Sequence, residues 1–99
     1  MSGVTVVARR LKQARLSAGI SQKQLGIRAG IDPFAASARI NQYERGKHVP
    51  DVGTAARLCK VLKVPAPFLY AQEDALAEWI LLFDKVSAAE RRAFARRAA

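Results

Sequence analysis

Apolar residues recur at helical steps along most of this chain, and capping residues or glycines bound each run. Val7, Leu11, Ala14 and Ala18 predict a first helix over residues 5–18, with Arg9, Arg10, Lys12 and Gln13 on its other faces and Gly19 ending it. Ser21-Gln22-Lys23-Gln24 has the pattern of a capping box, so a second helix starts there, buries Leu25 and Ala29, and stops at Gly30. Gly26 within it costs about 1 kcal/mol against Ala, and a close crossing with another helix would explain its presence. Asp32-Pro33 then starts a third helix, a capping carboxylate followed by proline at the first helical position. Ala36, Ile40 and Tyr43 are its inward residues.

The pattern continues to the end of the chain. Asp51 caps a fourth helix with Val52, Ala55, Leu58, Cys59 and Leu62 inward. Pro65 starts a short fifth helix through about residue 71, with Phe68 and Leu69 available for the core. Asp74 can cap a helix to about residue 85, whose stripe Leu76, Trp79, Ile80 and Phe83 is widened by Leu81 and Leu82. Ser87-Ala88-Ala89-Glu90 opens a last helix, with Phe94 inside and Arg91, Arg92, Arg96 and Arg97 outside. The predicted fold class is all-α.

The face of the third helix opposite its apolar residues carries Ala35, Ala38, Arg39 and Gln42, with Ser37 and Asn41 beside them. Small residues permit close approach to a groove, and the long polar ones reach base edges. A merely solvated face would more typically carry Glu and Lys pairs, whereas Glu44 is the one acid between Pro33 and Pro50. The loop Arg45-Gly46-Lys47-His48 follows directly.

Charge sharpens this picture. The 99 residues are enough for one small domain. Residues 1–70 hold twelve Lys or Arg against three Asp or Glu, while residues 71–99 hold five of each sign, so the whole surplus of nine lies with the groove-like helix. A polyanionic partner follows, because each neutralised phosphate releases condensed counterions. The single Cys59 allows no internal disulfide, and with the lone His48 it makes no Cys- or His-based metal set. Residues 4–8 are too short an apolar run for a signal peptide, and no run approaches the length of a membrane span. No pair of titratable groups is placed for acid–base work. The expectation is a cytoplasmic, nucleoid-associated protein that is not an enzyme and has no cofactor, metal or membrane partner.

Gly19-Ile20-Ser21-Gln22 with Leu25, Tyr43-Glu44-Arg45-Gly46, and Pro50-Asp51 with Leu58, Lys60 and Leu62 occur in order and at near-family spacing. Through these, residues 9–71 resemble the phage-repressor-like (Cro/Xre) helix-turn-helix domain of bacterial and phage transcription regulators. The resemblance implies a five-helix bundle over residues 1–71, in which helices two and three form the reading motif. Residues 72–99 then add one or two helices. It further implies that Gln22 grips a phosphate from the start of helix two, beside Lys23. Ser37, Ala38, Arg39 and Gln42 would face bases with Asn41 next to them, and Arg45 and Lys47 would meet the backbone. Glu44 would pair with Arg15 of helix one.

Two departures stand out. The chain has about four more residues between Gly30 and Glu44 than the usual motif, so the turn or the start of helix three must be longer. Lys63 stands where the family often has glycine.

The implied function is a sequence-specific regulator, a dimeric repressor on a palindromic double-stranded operator. The wide apolar tail helix is either extra core or an oligomer surface, and this reading makes it the homodimer surface. A second reading is an antitoxin that represses its own operon and holds a toxin protein through the C-terminal helices. A third is a protein-binding adaptor without DNA contact, against which the charge of the first seventy residues argues. Cys59 reads as a small core residue.

Overall fold

The computed structural model describes the backbone of residues 3–99 and the side chains of residues 6–99. The chain runs α1 (Gly3–Ala18), α2 (Gln22–Arg28), α3 (Pro33–Glu44), α4 (Val52–Leu62), a 3-10 helix (Ala66–Tyr70), α5 (Asp74–Phe83) and α6 (Ala88–Ala98), with no strand among the described residues. The all-α expectation holds.

Local chemistry sets the boundaries. Ser21 Oγ accepts from the Gln24 amide at 3.0 Å, Asp32 Oδ1 from the Phe34 amide at 2.8 Å, and Asp51 Oδ1 from the Thr54 amide at 2.7 Å. These are the orphan donors that a helix start must satisfy. The second capping box closes in both directions, Ser87 Oγ accepting from the Glu90 amide and Glu90 Oε1 from the Ser87 amide. Lys63 ends α4 in the left-handed region at φ 58°, a conformation that costs little only for glycine.

Leu11, Leu25, Ile40, Leu58, Phe68 and Leu69, drawn from α1 to α4 and the 3-10 helix, form the centre of the core and are almost fully buried. The crossing of α2 and α3 explains Gly26. A Cβ there would lie 2.7 Å from Ala36 Cβ and 3.0 Å from the Ala36 Cα and carbonyl oxygen, so only glycine fits.

Several expectations are overturned. Arg10, expected on an outer face, is 1 % exposed. Its Nε donates to the Ala71 carbonyl at 2.8 Å and its Nη2 lies 3.0 Å from Asp74 Oδ1, with the guanidinium 5.7 Å from the centre of the Phe68 ring. Arg9 reaches the same carboxylate at 3.0 Å. Asp74 therefore does not cap its helix. It is the first residue of α5, held by two arginines, and Glu73 occupies the cap position without a side-chain bond.

The fifth helix is a single 3-10 turn, because Pro65 and Pro67 supply no amide and the residue before a proline is pushed out of the α region. Val52 and Ala18, expected inward, are exposed. In the tail, Ala77 is buried and Ile80 and Leu81 pack against the core, but α6 buries no residue and Phe94 is half exposed.

Candidate nucleic-acid interface

The turn joining α2 to α3 spans four residues, with the Ile31 amide bonded to the Gly26 carbonyl at 2.9 Å and the Gly30 amide to Ile27 at 3.0 Å. The four additional residues seen in the sequence thus lie in α3, which is twelve residues long. Arg57 braces the turn from α4, its Nε donating to the Ala29 carbonyl at 2.9 Å and its Nη2 to Thr54 Oγ1 at 3.1 Å. Sequence reading had no role for Arg57. Its spacing of three from the Thr54 hydroxyl was the available signal.

Ala36, Ile40 and Tyr43 are buried, which turns the opposite side of α3 outward. Ser37, Ala38 and Arg39 are exposed, while Ala35, Asn41 and Gln42 are half-buried. The outward stripe is therefore rotated from expectation and runs through Phe34, Ala38, Asn41 and Arg45, at steps of four and three. Phe34 stands at its leading end with its ring wholly in solvent.

The end of α3 meets the start of α2. Arg15 Nε donates to Glu44 Oε2 at 2.6 Å and Nη2 to Oε1 at 3.1 Å, a bidentate pair whose carboxylate is only 3 % exposed. The bond to Glu44 raises the Arg15 pKa further above its ordinary value. Gln22 Nε2 donates to the same carboxylate at 3.1 Å, which fixes the first residue of α2 beside the last of α3. Lys23, next on α2, is exposed. The expected helix-one pairing of Glu44 is present, extended by Gln22.

Beyond Glu44 the chain folds back on the helix end. The Gly46 amide donates to the Tyr43 carbonyl at 3.1 Å and the Lys47 amide to Gln42 at 2.9 Å, a closure that needs the Gly46 φ of 74°. Arg45 and Lys47 project from this loop, both exposed.

The acids of the first seventy residues are all engaged: Asp32 and Asp51 cap helices, and Glu44 is paired with Arg15. The Asp51 carboxyl is held below its usual range, first by the Thr54 backbone amide. Twelve Lys or Arg stand against these three acids in residues 1–70, so the solvent-facing bases around α3 belong to a region of net positive charge.

A family model described as a helix-turn-helix domain matches residues 6–67. The chain belongs to that family. The crystal structure of the transcriptional regulator BswR is similar over nearly the whole chain. The two are 47 % identical with a TM-score of 0.84, and the match covers 92 % of this chain and 90 % of that one. No curated protein sequence matches. The coverage takes in most of the tail as well, so this helix-turn-helix protein is similar to that regulator beyond the matched residues 6–67. Among the described residues no group of three His, Cys, Asp or Glu could hold a metal ion, and no helix is long and apolar enough to cross a membrane.

Proposed function

We propose that this protein is a sequence-specific DNA-binding transcriptional regulator that inserts α3 into the major groove of an operator. The observation that carries the reading is the outward face of α3, where Ser37, Ala38 and Arg39 stand exposed beside the basic Arg45–Lys47 loop. Arg39, Asn41 and Gln42 supply the long polar side chains that read base edges, and Ser37 and Ala38 allow close approach. Arg45 and Lys47 with Gln22 and Lys23 bracket that face from the ends of α3 and α2, where phosphates pass. The likeness to a transcriptional regulator in sequence and fold supports the same reading.

The regulator acts as a two-fold dimer on a palindromic site and represses by occupying it. Trp79, Leu82, Phe83 and Phe94 are each about half exposed or more and, with Pro67 and Val86, line an apolar groove of about 840 Å³. A groove lined by this many half-exposed large apolar side chains is the kind of surface that marks an interaction site. Charge selects a second copy as its occupant. With Asp74 already held by Arg9 and Arg10, residues 73–84 still offer Glu73, Glu78 and Asp84 with no base, whereas α6 carries Arg91, Arg92, Arg96 and Arg97 against Glu90 alone. A two-fold arrangement that lays α6 across the partner's α5 pairs these surfaces twice.

Selection of bound sequences from random duplexes tests the core of the proposal. An inverted repeat is expected, and Arg39→Ala should then cost about 1–3 kcal/mol on that site and much less on random DNA. Equal losses on both would make Arg39 a phosphate contact. Sedimentation tests the dimer. Trp79→Glu should yield a folded monomer that binds half-sites weakly, and a parent chain that sediments as a monomer at micromolar concentration sinks the proposed interface.

A further inference from the structure

We propose that Phe34 reads thymine, its ring packing against a thymine 5-methyl group at the floor of the major groove. The inference rests on the DNA-reading role of α3 and adds a residue and a base to it. Phe34 is 103 % exposed, more than any other large apolar side chain described, although α3 itself is well anchored by Ala36, Ile40 and Tyr43. Its neighbours at one-turn spacing are Ser37 and Ala38, too small to cover the ring. Nothing in the monomer therefore uses this phenyl group.

The ring's placement matters as much as its exposure. In a reading helix the N-terminal residues meet base edges, and Phe34 is the second residue of α3. It lies four residues before Ala38 on the outward stripe, about 6 Å along the helix axis, or about two base-pair steps. Asp32 and Pro33 fix this end, the Asp32 carboxylate accepting the Phe34 amide at 2.8 Å, so the ring is carried on a capped first turn. A phenyl group has no donor or acceptor for a base edge. The apolar feature a base offers in the major groove is the thymine methyl, and its burial against Phe34 removes two apolar surfaces from water together.

The test uses the full chain and the duplex recovered by selection, with each thymine replaced in turn by deoxyuridine, which deletes only the methyl group. The parent should lose about fourfold at one or two adjacent positions, the ~0.8 kcal/mol of one buried methylene-sized group at 1.4 kcal/mol per tenfold. Phe34→Ala should bind the thymine and uracil duplexes alike, with the parent's melting temperature, since an exposed side chain is removed. Phe34→Leu should restore part of the discrimination. Full thymine–uracil discrimination in Phe34→Ala, or none in the parent, overturns the inference while leaving DNA reading by α3 intact. A parent chain that enriches no sequence overturns both.

Discussion

The helices from α1 to α4 and the helices of the tail are built from similarly apolar residues but spend them differently. In the bundle, Leu11, Leu25, Ile40, Leu58 and Phe68 vanish from solvent, and α2 and α3 approach until a single Cβ at Gly26 would collide. In the tail, α5 sends Ala77 into the core while Leu76, Trp79, Leu82 and Phe83 stay about half exposed, and α6 touches the rest through Trp79–Phe94 at 5.9 Å and Arg91 over Phe83 at 4.0 Å. Close packing makes a rigid platform that fixes α3 against α1 and α2. The tail leaves its apolar face half covered.

The largest blow to the bundle should come from Glu44→Gln. The Glu44 carboxylate is 3 % exposed and Arg15 12 %, so removing one charge leaves the other poorly hydrated at the seam of α1, α2 and α3. A loss of roughly 3–5 kcal/mol is expected. At about 4 °C per kcal/mol for a domain near a hundred residues, the melting temperature should fall by about 10 °C or more. A melt superimposed on that of the parent would show that Gln22 and solvent already satisfy the site. The tail has no counterpart, since none of its ion pairs involves a buried acid.

Gly26→Ala probes the same contrast with a smaller effect. A Cβ placed 2.7 Å from the Ala36 Cβ must push two backbones apart, a cost of about 1–3 kcal/mol offset by about 1 kcal/mol of improved helix propensity. A net destabilisation near 1–2 kcal/mol is expected from chemical denaturation, with part of it recovered in Gly26→Ala/Ala36→Gly. A variant more stable than the parent would mean that the crossing relaxes freely and that the platform is softer than its packing indicates.

Much of this division was legible in the sequence. Caps at Ser21, Asp32, Asp51 and Ser87 are local hydrogen-bonding events between residues two or three apart, and all four form. The inward trio of α3, the close crossing at Gly26 and the Arg15–Glu44 pair also followed from spacing or from the resemblance. What failed depended on neighbours distant in sequence. Arg10 sits three residues after Val7 and four before Ala14, on the buried stripe by period, but its charge argued for solvent until Ala71 and Asp74 were seen to receive it. Val52 has the right step from Ala55, yet nothing covers the first turn of α4 and it remains 84 % exposed. An aromatic on the arginine-rich α6 suggests a place in the core, but Phe94 lies in a groove open to solvent. The extra residues before Glu44 leave the register of Phe34 open in the sequence, and the length of α3 places it on the outward stripe.

The subtlest expected effect concerns how the two regions are joined. Arg9 and Arg10 of α1 both hold Asp74 at the first turn of α5, and the bond from Arg9, then that from Arg10, keeps the Asp74 carboxyl below its ordinary range. A carboxyl with a depressed folded pKa stabilises the docked tail fully above its unfolded value, near 3.9, and that stabilisation disappears as pH falls through the lower folded value. Asp51 and Glu90 are lowered as well and contribute acid sensitivity of the same sign, so the parent's acid limb alone cannot isolate the joint. The difference between parent and Asp74→Asn can, because the other carboxyls cancel. The parent should melt slightly higher than the variant at pH 7, and the gap should close below about pH 4. It should also shrink in high salt, since the Asp74 side chain is 80 % exposed and its attraction to the guanidinium groups is screened. A gap that is absent at pH 7 would mean that the Arg10 bond to the Ala71 carbonyl and the burial of Ala77 hold α5 in place by themselves. A gap constant down to pH 2 would assign the effect to the shape of the side chain rather than its charge, and the joint between bundle and tail would then be one of packing.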